Sequence, residues 1–111
     1  MIYHREWTEE ELAFKEITEN PIILDFSLCN QNYDIHKLLK DKFGFPEYYG
    51  ENWDALWDCL RYLWIDGENI WVVIYGFMSL PDDLREYCEK MLEIFEDVHR
   101  DTPNVTFELI S

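Results

Sequence analysis

The sequence predicts a single α/β domain in which a three-stranded parallel sheet is packed with three or four helices. Three short runs rich in β-branched and aromatic residues alternate with longer segments of helical periodicity, in the order strand, helix, helix, strand, helix, strand. Connections that contain whole helices join parallel strands, and right-handed crossovers bring those helices against the sheet. With 111 residues, of which 48% are apolar, the chain is long enough for one domain with its own hydrophobic core.

An N-terminal extension precedes this domain. Thr8 and Glu11 have the spacing of a capping box, in which each side chain bonds the backbone N–H of the other residue. This pattern predicts a short helix over residues 9–17. We therefore expect an extension with a short helix over residues 1–20 and the domain proper over residues 21–111.

The first half of the domain is predicted to be a strand followed by two helices. The run Ile22–Phe26 is typical of a buried strand. From Asn32 to the helix stop at Gly44, one helical face is apolar and consists of Ile35, Leu38, Leu39 and Phe43. An aromatic loop over residues 45–51 follows. Asn52 then caps a helix with the apolar stripe Leu56, Cys59, Leu60 and Leu63.

The second half is predicted to be a strand, a helix and a closing strand. Residues 71–75 form an apolar, β-branched run typical of a buried strand. Ser79 and Asp82, with Pro81 between them, predict the beginning of a helix. The core face of that helix is Leu84, Cys88, Met91, Leu92 and Phe95. Alternating residues over 105–110 predict the last strand.

The charge of the chain excludes some functions and favours others. The chain carries 24 Asp and Glu against 9 Lys and Arg, a formal net charge of −15. Binding to a nucleic-acid backbone requires positive charge that releases counterions, so this function is excluded. The natural partner is a cationic surface. Because like charges also oppose non-specific self-association, we expect the free protein to be a monomer.

Targeting signals and metal motifs are also missing from the sequence. The N-terminus does not have the apolar region of a signal peptide, and the longest apolar stretch, residues 70–78, is about half of a membrane span. The 3 cysteines are far apart, and the 3 histidines have no ligand spacing. We therefore expect a cytoplasmic protein with reduced, buried cysteines and with no cofactor, metal or membrane partner.

The most informative segment lies between Lys42 and Arg61. It contains no basic residue and four acidic ones, Glu47, Glu51, Asp54 and Asp58. Asp54 and Asp58 are spaced i,i+4, so their charges repel on one side of the predicted helix. The helix dipole compensates Asp54 in the first turn but acts less on Asp58. This is either a solvated acidic face or, because Tyr48, Trp53 and Trp57 are interleaved with the acids, an interface hot spot.

Catalysis by these residues is disfavoured. Asp54 and Asp58 would lie roughly 6 Å apart, near the separation of a retaining glycosidase pair. Such a pair needs an apolar pocket that raises the pKa of one carboxyl, and an exposed helix face offers none. Cys59 with His36 as its base is weaker still, because Cys59 lies on the apolar stripe. We expect no enzymatic activity.

Residues 46–60, PEYYGENWDALWDCL, resemble the signature segment of the barstar family, the intracellular inhibitors of barnase-type ribonucleases. The similarity continues upstream through Asp34, Ile35 and His36 and covers about residues 21–111, whereas residues 1–20 have no counterpart. The resemblance implies a barstar-like fold, a three-stranded parallel sheet with packed helices. It also implies that the protein inhibits a cationic ribonuclease of the barnase type, as an immunity-type inhibitor without catalysis of its own.

The resemblance further implies which residues bind the target. Asp58 would lie where the scissile phosphate binds, paired with Arg and His side chains of the nuclease. Asp54 would make a neighbouring contact with a cation. Tyr48 would pack on the catalytic histidine of the nuclease. Gly50 and Asn52 would let the loop backbone approach the nuclease closely.

Three further positions belong to the expected target-binding set, and two of them differ from the residue that is usual in the family. Trp57 matches an interface residue of the family, and Asp97 stands at an acidic contact that is usually Glu. Arg61 replaces a small or polar residue and would either neutralise Asp58 as an i,i+3 pair or contact an acid on the target. Together with the extension and a long, aromatic connection over residues 62–70, Arg61 indicates a target other than barnase itself. The alternative function is a barstar-fold interaction module that binds a basic partner other than a nuclease.

Overall fold

The computed structural model describes residues 8–17, 19–63 and 69–110. Within these ranges the elements, in chain order, are α1 (Glu9–Leu12), β1 (Ile22–Asp25), α2 (Asn32–Phe43), α3 (Trp53–Leu63), β2 (Ile70–Tyr75), α4 (Asp82–Asp101) and β3 (Val105–Leu109). A 3-10 turn, Phe77–Ser79, lies between β2 and α4. Residues 64–68, part of the long connection expected before β2, lie outside the described residues.

The sheet has the strand order β1-β2-β3, and both strand pairs are parallel. Leu24 of β1 and Leu109 of β3 lie opposite Ile74 of the central strand. Helices α2 and α3 connect β1 to β2, and α4 connects β2 to β3. The predicted α/β fold with a three-stranded parallel sheet is therefore confirmed.

The core lies between one face of the sheet and the helices. Alternate strand residues point into it, because successive side chains of a strand face opposite sides; they are Ile22, Leu24, Val72, Ile74 and Val105. Of the predicted helix faces, the buried members are Ile35, Leu39, Phe43, Leu56, Cys59, Leu60, Leu84, Cys88, Met91 and Phe95. Leu38, Leu63 and Leu92 are only partly buried, at the edges of their stripes. All three cysteines are buried and free, as expected.

The predicted core face of α4 lacks two buried residues and includes one that lies at its edge. The helix buries Ile94 and Val98, whereas Leu92, which was predicted to be buried, is partly exposed. A residue directly after Met91 lies about 100° around the helix from it, so Leu92 falls beside the buried stripe. Helix α4 also begins at Asp82, with Pro81 as its N-cap residue, because Ser79 belongs to the separate 3-10 turn.

Helix α1 is shorter than predicted. The capping box is confirmed, since the Thr8 N–H donates to Glu11 Oε1 and the Glu11 N–H donates to Thr8 Oγ1, each over 3.1 Å. The helix ends at Leu12 and does not continue over residues 13–17. Tertiary contacts replace helical ones there, because the Lys15 N–H donates to the Gly44 carbonyl over 2.8 Å.

Helix α2 ends where the sequence indicated. Gly44 adopts a left-handed conformation with φ 67°, and its N–H donates to the Lys40 carbonyl. Glycine is favoured in this conformation because it lacks the Cβ atom that would clash in other residues. None of the described helices has both the length and the apolar character required to cross a membrane.

Candidate functional site

The loop between α2 and α3 is fixed at its carboxyl end by one side chain. Asn52 Oδ1 accepts the Ala55 N–H over 2.8 Å, which confirms the predicted cap of α3. Asn52 Nδ2 donates to the Gly50 carbonyl over 3.0 Å. Glu51, between them, has a positive φ of 52°. One amide therefore sets both the beginning of α3 and the backbone path of the loop.

The carboxylates of Asp54 and Asp58 are exposed and uncompensated. Both side chains point from α3 into solvent, and neither has a hydrogen-bond or ion-pair partner among the described residues. In the described part of the chain every lysine and arginine except Arg61 pairs with an acid other than Asp54 and Asp58, in the pairs Lys15–Glu47, Lys37–Asp41, Lys40–Glu47, Lys42–Glu19, Arg85–Asp82, Lys90–Glu93 and Arg100–Asp97. Helix α3 therefore presents two fixed negative charges that nothing in this part of the chain neutralises.

Arg61 does not pair with Asp58. Its guanidinium carbon lies 5.6 Å from the centroid of the Trp57 ring, which is within cation–π range. In the described residues Arg61 forms no ion pair, so of its two expected roles the neutralisation of Asp58 is wrong. Residues three and four apart are both neighbours on a helix, so Asp58 and Trp57 are each within reach of Arg61, and the structure has the guanidinium on the Trp57 ring.

Two depressions flank α3 and contain six of the eight predicted site residues. One, of about 220 Å³, lies between α3 and α4 and is lined by Trp53, Asp54, Trp57, Lys90, Ile94 and Asp97. The other, of about 510 Å³, lies on the loop side and is lined by Tyr48, Asp58, Cys59, Arg61 and Tyr62.

We call the predicted set the α3 surface; its members are Tyr48, Gly50, Asn52, Asp54, Trp57, Asp58, Arg61 and Asp97. Tyr48 is 44% exposed, whereas Trp57 is partly buried and packs against the core. Asp97 comes from α4 and is paired with Arg100 over 3.0 Å. The fold thus brings Asp97 of α4 beside Asp54 and Trp57 of α3, and Tyr48 of the loop beside Asp58 and Arg61.

A buried polar cluster behind the α3 surface was missed by the sequence analysis. His36 is 1% exposed; its Nδ1 lies 2.7 Å from the Tyr49 hydroxyl and its Nε2 lies 2.8 Å from the Tyr87 hydroxyl. The neutral ring donates from one nitrogen and accepts at the other, so one hydroxyl accepts from His36 and the other donates to it. Its ring centroid is 4.7 Å from that of Trp53. Burial lowers the pKa of His36, and the Glu51 carboxylate opposes this shift.

This cluster connects four parts of the chain: α2, the loop, the first residue of α3, and α4. Its tyrosines are 13 and 51 residues from His36 along the chain and Trp53 belongs to another helix, so no local spacing indicates the cluster. The only available signal was a histidine beside Ile35 on the apolar face of α2. Such a residue needs polar partners from other elements when it is buried.

The catalytic alternatives find no support in the geometry. Both ring nitrogens of His36 contact tyrosine hydroxyls, and Cys59 is buried with a pKa raised to about 11 by burial and by Asp58. A thiol in that state is a poor nucleophile. Within the described ranges no cluster of His, Cys, Asp and Glu is suited to hold a metal ion.

Two comparisons with known proteins, one with family models and one with individual proteins, agree with each other. A family model described as "Barstar (barnase inhibitor)" matches residues 20–110. A protein of Bacillus subtilis (strain 168) named "Putative ribonuclease inhibitor YrdF" is 39% identical over 67 residues, which are 60% of this chain and 71% of that relative. The resemblance expected from residues 46–60 is confirmed, and residues 1–19 lie outside the family match.

Proposed function

The chain belongs to the barstar family, and from this premise we propose that it is a protein inhibitor of a barnase-type ribonuclease, with the α3 surface as its docking site. The family match and the named relative both support a ribonuclease-inhibitor role. The chain acts by binding and performs no catalysis. It acts in the cytoplasm, since three free cysteines suit a reducing compartment.

The observation that carries this proposal is the pair of uncompensated carboxylates on α3. A ribonuclease must gather Lys, Arg and His to hold phosphate, so its active site is cationic. Asp54 and Asp58 present negative charge from a rigid helix and contain no bond that the nuclease cleaves. They act as phosphate substitutes whose geometry is fixed before binding, which reduces the entropy lost on association.

Each member of the α3 surface has a role in this mechanism. Asp58 occupies the position of the scissile phosphate, and Asp54 contacts a neighbouring cation. Tyr48, exposed beside the Asp58 depression, packs on the catalytic histidine of the nuclease. Gly50 and Asn52, which are joined by the bond from Asn52 Nδ2 to the Gly50 carbonyl, let the loop backbone approach the nuclease closely.

Asp97 and Trp57 extend the contact into the depression between α3 and α4. Trp57 supplies apolar area beside Asp54, and Asp97 supplies a further carboxylate from α4. Because Arg61 lies on the exposed part of Trp57, it adds a cation at the border of this acidic surface. That cation fits a nuclease that differs from barnase at the facing position.

The test is a titration of the protein into a barnase-type ribonuclease while RNA cleavage is followed at low and at physiological salt. We expect stoichiometric inhibition that weakens with salt, because charge at −15 accelerates association and ions screen it over about 8 Å at 0.15 M. A ribonuclease whose active-site cleft differs in shape from that of a barnase-type enzyme serves as the control enzyme. If the ribonuclease is inhibited neither at low nor at physiological salt, the proposal is contradicted.

The position of Arg61 favours a second candidate, an interaction module for a basic partner that is not a nuclease. A cation on Trp57 would weaken docking into a wholly cationic cleft and suit a partner that also presents an acid. The titration separates the two candidates. If ribonucleases are not inhibited while a basic protein binds through Asp54 and Asp58, the second candidate stands.

A further inference from the structure

The segment of residues 11–17, which precedes the family match at residue 20, packs against residues 44–47, the beginning of the loop between α2 and α3 that we call the binding loop. The Glu47 N–H donates to the Glu11 carbonyl over 2.9 Å, and the Lys15 N–H donates to the Gly44 carbonyl over 2.8 Å. Two main-chain hydrogen bonds thus join the segment to residues 44–47. Glu47 directly precedes Tyr48 of the α3 surface, so the attachment lies next to the docking site.

Side chains strengthen this attachment. The ring of Phe14 stands edge-on to that of Phe45, at 90° and with centroids 6.4 Å apart. The Glu47 carboxylate forms two ion pairs: its Oε2 lies 2.8 Å from Lys40 Nζ and its Oε1 lies 3.2 Å from Lys15 Nζ. Exposed ion pairs contribute little each, so the apolar contact and the main-chain bonds provide most of the attachment.

Gly44 allows the segment to come this close. A Cβ at residue 44 would clash with the carbonyl oxygen of Lys15, and the φ of 67° is unfavourable for other residues. The loop and the segment therefore fit each other at the level of the backbone. The opposite end of the loop is fixed by Asn52 and by the contact of Tyr49 with His36.

We propose that residues 11–17 are a positioning segment, which holds residues 44–47 so that Tyr48 and Gly50 stand in their binding conformation. The inference rests on the proposed function as far as its effect on inhibition is concerned. A loop that is held at both ends loses less conformational entropy when it meets the nuclease. The segment itself need not touch the nuclease.

The test uses Phe14→Ala in the full chain. We expect inhibition to weaken about three- to tenfold, the range expected when one ordered side chain becomes free. Phe14→Leu should restore most of the affinity, because it refills the contact with Phe45. Leu92→Ala is the matched control: Leu92 is also partly buried against the core but lies away from the loop, so it should lower stability without lowering affinity.

A double-mutant cycle distinguishes positioning from a general loss of stability. If the segment acts through the loop, the effect of Phe14→Ala on binding should shrink when Tyr48 is already Ala. The effect should persist unchanged when Asp97, on α4, is already Ala. Additive effects with Tyr48→Ala overturn the inference.

Amide hydrogen exchange tests the same inference without a partner. In Phe14→Ala the Glu47 and Tyr49 amides should exchange faster, while those of β2 keep their protection. Unchanged exchange at Glu47 and Tyr49 overturns the inference even if the protein inhibits a ribonuclease. Conversely, faster exchange together with a wild-type chain that inhibits no ribonuclease rejects the proposed function and supports the positioning of the loop.

Discussion

Arg61 lies over the ring of Trp57, 5.6 Å from its centroid, although Asp58 is available one turn earlier on the same helix. The cation is thereby held on an aromatic surface, and the carboxylate of Asp58 remains without an internal partner among the described residues. An uncompensated charge on a rigid helix contributes little to folding. It is, however, available to a cation on another protein.

Asp58→Asn should therefore separate binding from stability. We expect the dissociation constant for the ribonuclease to rise by at least about 30-fold, the effect of a hot spot worth roughly 2 kcal/mol. The free energy of unfolding should stay the same or rise by a few tenths of a kcal/mol, because repulsion from Asp54 is removed. Inhibition titrations and urea unfolding measure the two quantities.

Asp83→Asn is the matched control for this experiment. It removes an equal charge from the exposed first turn of α4, away from the α3 surface. It should change the dissociation constant only slightly, through a small decrease in the association rate. If Asp58→Asn unfolds the protein, Asp58 has a structural role and the assignment of the site is wrong.

Arg61→Ala should accelerate association with a barnase-type ribonuclease. It removes the one cation among the described residues that has no ion pair, and it leaves a more uniformly negative surface. The cation–π contact is exposed, so the free energy of unfolding should fall by no more than about 1 kcal/mol. Stopped-flow association rates at low salt provide the measurement. A loss of affinity instead would assign Arg61 to a carboxylate of the nuclease.

Much of the fold follows from local patterns in the sequence. The stop at Gly44, the cap at Asn52 and the buried alternation of the strands depend on neighbouring residues, and the structure contains all three. The proximity of the predicted site residues has the same origin, because most of them lie on one helix and the loop before it. Their role in binding remains a prediction.

The features that the sequence did not indicate depend on contacts between distant segments. Helix α1 ends at Leu12 because Phe14 and Lys15 bind residues 44–47, about 30 residues later in the chain. The partners of His36 belong to the loop and to α4. Helical periodicity contains no information on such pairs, so a helix over residues 9–17 was a reasonable but wrong expectation.

The stability of the protein should fall as the pH drops below about 6.5, the ordinary pKa of histidine in the unfolded chain. Burial lowers the pKa of His36 in the folded state, despite the opposing Glu51 carboxylate. Between the two pKa values only the unfolded chain binds the proton, so the free energy of unfolding decreases with decreasing pH. Above pH 6.5 this contribution is fully present. One proton limits the slope to about 1.4 kcal/mol per pH unit.

Urea unfolding between pH 5 and pH 8 measures this dependence, with His36→Gln as the comparison. The groups that face His36 are the hydroxyls of Tyr49 and Tyr87, the Trp53 ring and the Glu51 carboxylate. Carboxylates with lowered pKa values, such as Glu47, affect stability only at more acidic pH. An equally steep dependence in His36→Gln would assign the effect to another group.

Asn52 makes two hydrogen bonds at the carboxyl end of the binding loop, the cap of α3 and the bond to Gly50, and substitutions at this one position can separate them. Asn52→Ser keeps a side-chain oxygen for the Ala55 N–H but removes the donor to the Gly50 carbonyl, whereas Asn52→Ala removes both. We expect Asn52→Ala to lower the free energy of unfolding by about 1 kcal/mol and Asn52→Ser to lower it much less. Both variants should inhibit the ribonuclease more weakly, because Gly50 loses its bond in each. If Asn52→Ser inhibits as well as the wild type, the cap alone matters, and the path of the loop at Gly50 is set by the helix and not by this amide.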